Sequence, residues 1–163
     1  MDDIRVGIIG LGTIGGGVVK VLREKSGFFR DKLGLPLRLA RAVDLDSTRF
    51  GELGLEGELR CGTDAAEVLD DDGIRVVVEL VGGTDFARTL VLEALKRGKH
   101  VVTANKALLA EHGPEVFQAA TANGVSVYFE AAVGGGMPII KSLREAMIAN
   151  DIVCLKTIIN GTC

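Results

Sequence analysis

Apolar, β-branched runs of strand length alternate along this chain with segments in which apolar residues recur at helical spacing. Ile4 to Ile9 predicts a first strand, Leu37 to Val43 a second and Val76 to Leu80 a third. His100 to Thr103, Ser126 to Phe129 and Ile152 to Ile159 predict a fourth, fifth and sixth. Between them, Gly15 to Arg23 predicts a helix with Val18, Val19 and Leu22 on one face. Thr63 or Asp64 is placed to cap a short helix through Leu69, because either side chain can accept from first-turn amides. Thr84 or Asp85 would cap the next, with Phe86, Leu90, Ala94 and Leu95 turned inward and Gly98 as its stop. Pro114 marks a helix start and Gly124 its end, and Pro138 opens a last helix with Ile139, Leu143 and Met147 at core spacing. Residues 44 to 62 mix charges and glycines and read as a surface excursion.

Strand and helix in alternation, with strands that read as almost continuous apolar runs, predict an α/β fold. The architecture expected is a Rossmann-type, doubly wound, mainly parallel sheet with helices on both faces. Residues 1–150 would form this nucleotide-binding domain. Residues 151–163 would start a further one, for the chain stops at Asn160-Gly161-Thr162-Cys163 straight after an apolar run, as a truncated chain would.

Composition removes several alternatives. A net charge of -3 without a long basic run argues against a nucleic-acid partner, and the absence of Trp argues against base-stacking platforms. A first strand starting at Ile4 leaves no room for a signal peptide, and no apolar run is long enough to span a membrane. Cys61, Cys154 and Cys163 are scattered and odd in number, which suits reduced thiols in a cytoplasmic protein rather than a disulfide framework or a metal cluster.

The candidate chemistry gathers after the strands. Gly10-Leu11-Gly12-Thr13-Ile14-Gly15 matches G-x-G-x-x-G, directly after a strand and opening a helix. The first glycine permits a tight turn, the second a close approach of backbone to a pyrophosphate, and the third close packing of helix on strand. Amides at the helix start would then face the phosphates. Asp44, at the end of the second strand, suits the hydroxyls of an adenine ribose and repels a 2′-phosphate, which favours NAD over NADP. Its separation from the glycines exceeds the usual ~20 residues, and an insert around Phe28 to Leu35 would account for that. Arg41 and Arg49 lie nearby and could instead receive a phosphate.

Val81-Gly82-Gly83-Thr84 follows the third strand, where glycines would let a cofactor pass close to the backbone. Thr103-Ala104-Asn105-Lys106 follows the fourth at the same sheet edge. A lysine there can contact the cofactor or help a proton leave a hydroxyl. Glu130, followed by a turn through Gly134-Gly135-Gly136-Met137, suits a hard cation bound by oxygens and equally suits a plain loop. His100 reads as structural and His112 as a solvated loop residue.

Together, the Gly10-to-Gly15 loop, Val78-Glu79-Leu80-Val81-Gly82-Gly83, Gly98 through Lys106, Phe129 through Pro138 and Asn160-Gly161-Thr162 resemble homoserine dehydrogenase over nearly the whole chain. The resemblance implies an NAD(P)-dependent oxidoreductase interconverting L-homoserine and L-aspartate 4-semialdehyde, on the route to threonine, methionine and isoleucine. It implies that Lys106 is catalytic and touches the cofactor, that Thr103 and Asn105 border the cofactor, and that the full-length enzyme is a homo-oligomer. It also implies a site for sodium or another monovalent cation, formed by the Glu130 carboxylate and main-chain oxygens of Val133, Gly135 and Met137. A substrate domain with further carboxylates and a second catalytic lysine would lie outside this chain, so the piece by itself is expected to turn over little or no homoserine. Two rivals use the same fold. One is another nicotinamide-dependent dehydrogenase; the other is a dinucleotide sensor without catalysis, which would tolerate loss of Lys106.

Overall fold

The computed structural model describes residues 3–156. Its centre is one six-stranded sheet in which every neighbouring pair runs parallel. The strands are β1 (Ile4–Ile9), β2 (Leu37–Val43), β3 (Arg60–Gly62), β4 (Ile74–Glu79), β5 (His100–Thr103) and β6 (Val127–Tyr128), in the order β3-β2-β1-β4-β5-β6. The order reverses between β1 and β4. In an open parallel sheet that reversal opens a crevice beyond the strands' carboxyl ends.

The helices cover both faces, and strand alternation decides which residues meet them. Val6 and Ile8 of β1 and Val78 of β4 face one side, against Val19 of α1 (Thr13–Glu24), Phe50 of α3 (Thr48–Glu52) and Leu55. Ile9 and Val77 face the other. There they meet Val68 of α4 (Ala66–Leu69), Leu90, Val91, Ala94 and Leu95 of α5 (Asp85–Lys96), and Leu108 and Val116 of α6 (Lys106–Ala122). All of these are nearly or wholly excluded from solvent, so each strand of the centre is covered twice. No helix among the described residues is long and apolar enough to cross a membrane.

Several expectations are corrected. The stretch 44 to 62 is not a plain excursion: it holds α3 and the edge strand β3, which pairs Arg41 with Arg60 and Val43 with Gly62. The insert around Phe28 to Leu35 is mostly helical, as α2 (Ser26–Leu33), and ends at Gly34 with φ +73°. The helix expected to start at Pro114 begins at Lys106, capped by the Asn105 side chain, which accepts from the Leu108 amide at 3.0 Å. Pro114 lies inside it, and Gly113 before it has no Cβ to collide with the proline ring. His112 is accordingly a half-buried helical residue rather than a loop residue. Phe86 is 59% exposed instead of turned inward.

The segment opened by Pro138 forms a short helix α8 (Ile139–Lys141) that runs on as a π-helical turn, Ser142–Ala146. Ile139 and Leu143 are half-buried there, whereas Met147 is exposed. Residues 151 to 156 adopt no regular structure, against the sixth strand expected to begin at Ile152. The rest of that strand, and Asn160-Gly161-Thr162-Cys163, lie outside the described residues.

One strand glycine is fixed by packing. A Cβ at Gly7 would stand 2.4 Å from Val68 Cγ1, so α4 rests on the bare backbone of β1. Gly7→Ala is expected to cost about 1–3 kcal/mol of unfolding free energy by urea denaturation, the usual penalty for overpacking a core. An unchanged midpoint would show that α4 does not sit there.

Candidate dinucleotide site

The turn from β1 into α1 is built on two glycines that cannot be replaced by larger residues. Gly10 has φ +98°, and a Cβ on it would lie 2.6 Å from Leu80 O. A Cβ on Gly15 would lie 2.0 Å from Gly10 O. Gly12 differs: its φ is -60°, and nothing stands within 4 Å of where its Cβ would be. Gly12, Thr13 and Ile14 are all exposed at the start of α1, and no side chain caps the helix. Its first-turn amides therefore have no partner within the helix, and the positive end of its dipole faces the crevice.

Two charged residues hold the peptide groups of Leu11 from opposite sides. Asp44 accepts the Leu11 amide on Oδ2 and the Asp46 amide, at 2.9 Å, on Oδ1. Arg49 donates to Leu11 O from Nε and Nη2, at 3.0 and 2.9 Å, and pairs with Glu52. The Thr48 hydroxyl and amide hold the Asp46 carboxyl below its usual range. Arg41 is elsewhere: it pairs with Glu67 of α4 at 2.6 Å. Of the two arginines weighed for a phosphate, only Arg49 borders the turn, and it is already engaged.

Beside this turn lies a cleft of ≈ 340 Å³. Gly10, Gly12, Asp44, Val81 and Gly82 line it, together with Leu45, Thr63, Ala65 and Phe86. Sequence reading missed these last four. The signal that could have found Phe86 is its place in the first turn of a helix at the crevice edge, where an apolar side chain can remain outside the core. Leu45 is 89% exposed, so the cleft carries two uncovered apolar side chains near Asp44. That is the setting an adenine ring requires, with an apolar face and a carboxylate for the adjoining ribose.

The other half of the crevice is tied together by a buried carboxylate. Glu79, the last residue of β4, is fully buried. Its Oε1 accepts the Val81 amide at 2.9 Å, and its Oε2 accepts the Thr103 hydroxyl at 2.5 Å. The Thr103 oxygen accepts the Asn105 amide at 3.0 Å, and Asn105 Nδ2 donates to Gly83 O at 2.7 Å. Val81, Gly83, Thr103 and Asn105 are thus brought into one network, and the exposed Lys106, in the first turn of α6, is the residue after Asn105. Burial raises the Glu79 carboxyl above its ordinary value, against the hydrogen bonds from Thr103, Val81 and Asn105. In the sequence Glu79 is only one member of the Val78-to-Gly83 segment, and nothing there marks it for a role.

Glu130 lies further along the edge. Its carboxylate accepts the amides of Ile140 and Lys141, at 2.9 and 3.0 Å, and so caps the start of α8. Val133 ends the helix α7 (Glu130–Val133), and the Met137 amide folds back on Gly134 O at 2.7 Å. Met137 O accepts the Ile139 amide. Among the described residues no three His, Cys, Asp or Glu side chains gather as a metal cluster. A single carboxylate with carbonyls around it remains a hard-oxygen donor set, and each carboxylate oxygen keeps a second lone pair. His100 is structural, as expected: its Nδ1 accepts the Ser126 amide at 3.1 Å between β5 and β6.

Residues 10–130 match the profile described as the NAD-binding domain of homoserine dehydrogenase. Among relatives, the homoserine dehydrogenase of Pseudomonas aeruginosa is 45% identical over 162 residues and that of Neisseria gonorrhoeae 44% over 162. Each alignment covers 99% of this chain and 37% of the relative, so the chain spans little more than a third of their length. A crystal structure of a homoserine dehydrogenase from Thiobacillus denitrificans superimposes with a TM-score of 0.85 at 49% identity, over 92% of this chain and 34% of that one. A hyperthermophilic archaeal homoserine dehydrogenase in complex with NADPH superimposes with a TM-score of 0.73 at 26% identity, over 91% and 50%.

The raised Glu79 carboxyl makes a prediction for stability. Its folded value lies above its unfolded value of about 4.3. The folded state therefore binds this proton more tightly, and Glu79's contribution is largest below the unfolded value and lost as pH rises through the folded one. Urea denaturation across that window should show a falling component in the parent chain that Glu79→Gln lacks. Identical pH profiles for the two would contradict the assignment.

Proposed function

The chain belongs to the homoserine dehydrogenase family, whose NAD-binding domain it carries, and on that premise we propose that it is the cofactor-binding part of an enzyme interconverting L-homoserine and L-aspartate 4-semialdehyde. The observation that carries the reading is convergence at one crevice. The uncapped start of α1, Asp44 and Lys106 come from three separate segments and stand at the carboxyl edge of one sheet. Residues 1–150 form the nucleotide domain in this reading, and residues 151–163 lead into a substrate and dimerisation domain of a homo-oligomeric, cytoplasmic enzyme.

The bound dinucleotide would supply a hydride acceptor or donor in its nicotinamide ring. The chain's own residues do the rest. Amides of residues 12–14 hold the pyrophosphate, and glycines 82 and 83 leave room for the chain of the cofactor to pass. Asp44 accepts from the adenine ribose through the lone pairs its two amide bonds leave free. Lys106 stabilises the substrate alkoxide and exchanges its hydroxyl proton. Asp44, Asp46 and Glu52 crowd the ribose end with negative charge while Arg49 is held by Leu11 O and Glu52, which favours NAD. The NADPH bound by the archaeal relative supports the opposite preference, and Arg49 would have to leave Glu52 to meet a 2′-phosphate. Glu130, with the main-chain oxygens of Val133, Gly135 and Met137, would hold a monovalent cation such as sodium.

The glycine turn separates binding from folding. Gly12→Ala is expected to keep the parent's thermal midpoint and lose cofactor binding by calorimetry, because its Cβ meets open space that the pyrophosphate would fill. Gly15→Ala should instead unfold the turn. Equal NAD affinity in Gly12→Ala would place the cofactor elsewhere. In the full-length enzyme, Lys106→Ala should lower kcat by about 10²- to 10⁴-fold, the range of a general acid–base contribution. Retention of kcat would favour a non-catalytic role for this edge.

A further inference from the structure

We propose that Glu79 is a positioning residue for the nicotinamide half of the cofactor, fixing the turn after β4 and the turn after β5 relative to each other. The inference rests on the dinucleotide reading above and goes beyond it by assigning a role to a residue that touches no ligand.

The geometry is that of a two-handed clamp. One carboxylate oxygen fixes Val81, at the start of the glycine turn, and the other fixes Thr103, at the end of β5. Thr103 passes the constraint to the Asn105 amide, and Asn105 returns it to Gly83 while capping α6. Lys106 is the next residue. Of the residues that line the adenosine half with Asp44, Leu45, Ala65 and Phe86, only Val81 takes part in these bonds, through its amide. With the pyrophosphate at α1 and the adenosine beside β2, the nicotinamide must extend over the ends of β4 and β5, where the clamp lies.

The donor pattern suits an anion. A carboxylate accepts from both sides. A carboxamide in its place offers one acceptor, so either the Val81 amide or the Thr103 hydroxyl loses its partner. Turned round to accept from the carboxamide, the hydroxyl would keep the Asn105 amide on its other lone pair but leave its own proton without the Glu79 acceptor. The groups facing the carboxylate are the Val81 amide, the Thr103 hydroxyl of β5 and the Asn105 carboxamide at the start of α6. β1 places the apolar Ile9 opposite it. None of these groups titrates or is charged. The burial that raises its pKa also means that the anion costs the fold stability, which a residue serving only the core would avoid.

The test compares ligands that reach different halves of the crevice. The chain and its Glu79→Gln variant are titrated calorimetrically with NAD and with ADP, which carries adenosine and diphosphate but no nicotinamide. Glu79→Gln is expected to weaken NAD about tenfold, the scale of one lost hydrogen bond to a charged group, while ADP stays within about twofold. The NAD affinity of the parent should fall as pH drops through the raised Glu79 value, and this acid limb should vanish in Glu79→Gln. Thr103→Val, which removes the hydroxyl at constant shape, provides a second variant and should reproduce the selective loss of NAD. Equal NAD binding in parent and variants, or parallel loss of NAD and ADP in a folded variant, would overturn the positioning role alone. If the parent bound neither ligand, the dinucleotide reading would fall, and this inference with it.

Discussion

The approach of Gly15 to the Gly10 carbonyl is the constraint on which the rest depends. No side chain fits between them, since even a Cβ would stand 2.0 Å from that oxygen. Because the chain can turn so tightly, α1 leaves the sheet at the end of β1 with its first amides exposed at the crevice. The same turn brings Leu11 into the core and exposes its peptide groups to Asp44 on one side and Arg49 on the other. Packing sets the angle of the helix, and the two charged side chains hold the turn that packing alone would leave loose.

The two halves of the crevice are built by different physics. Around Asp44 the surface is apolar and uncovered, with Leu45 and Phe86 exposed, and binding there would recover hydrophobic free energy now left to solvent. Around Glu79 the site is a closed polar network whose members satisfy one another before any ligand arrives. A buried anion and two turns held in fixed relation are costly for the fold, but they leave little reorganisation to be done on binding. This preorganised half is the one that ends at Lys106.

The sequence made much of this legible, for physical reasons. The limits of β1, β2 and β5 agree with the predicted runs, and the apolar residues of β1 and β5 are what a strand covered on both faces requires. Gly98 and Gly34 stop helices with positive φ, one foreseen and one not. The edge strand β3 is three residues long and carries Arg60, so neither length nor hydrophobicity announces it. Pro114 misleads as a helix start because it sits inside α6, where Gly113 removes one of the contacts that disfavour an interior proline. The glycine loop, Asp44, Thr103 and Asn105 stand out in the sequence because each lies at the end of a strand or just after it. Glu79 is easily passed over because a charged residue at the end of an apolar run looks like the point where the run meets solvent, whereas Thr103, which meets its second oxygen, is distant in sequence.

The central claim is that the start of α1 receives a pyrophosphate, with the adenosine beside Asp44 and the nicotinamide over Val81 to Lys106. Crystallising the chain with NAD would test it most directly. The account predicts electron density for the pyrophosphate against the amides of residues 12–14, with the ribose hydroxyls on Asp44 and the ring system next to Phe86. A dinucleotide bound away from the glycine turn, or an unchanged empty crevice at saturating NAD, would contradict it.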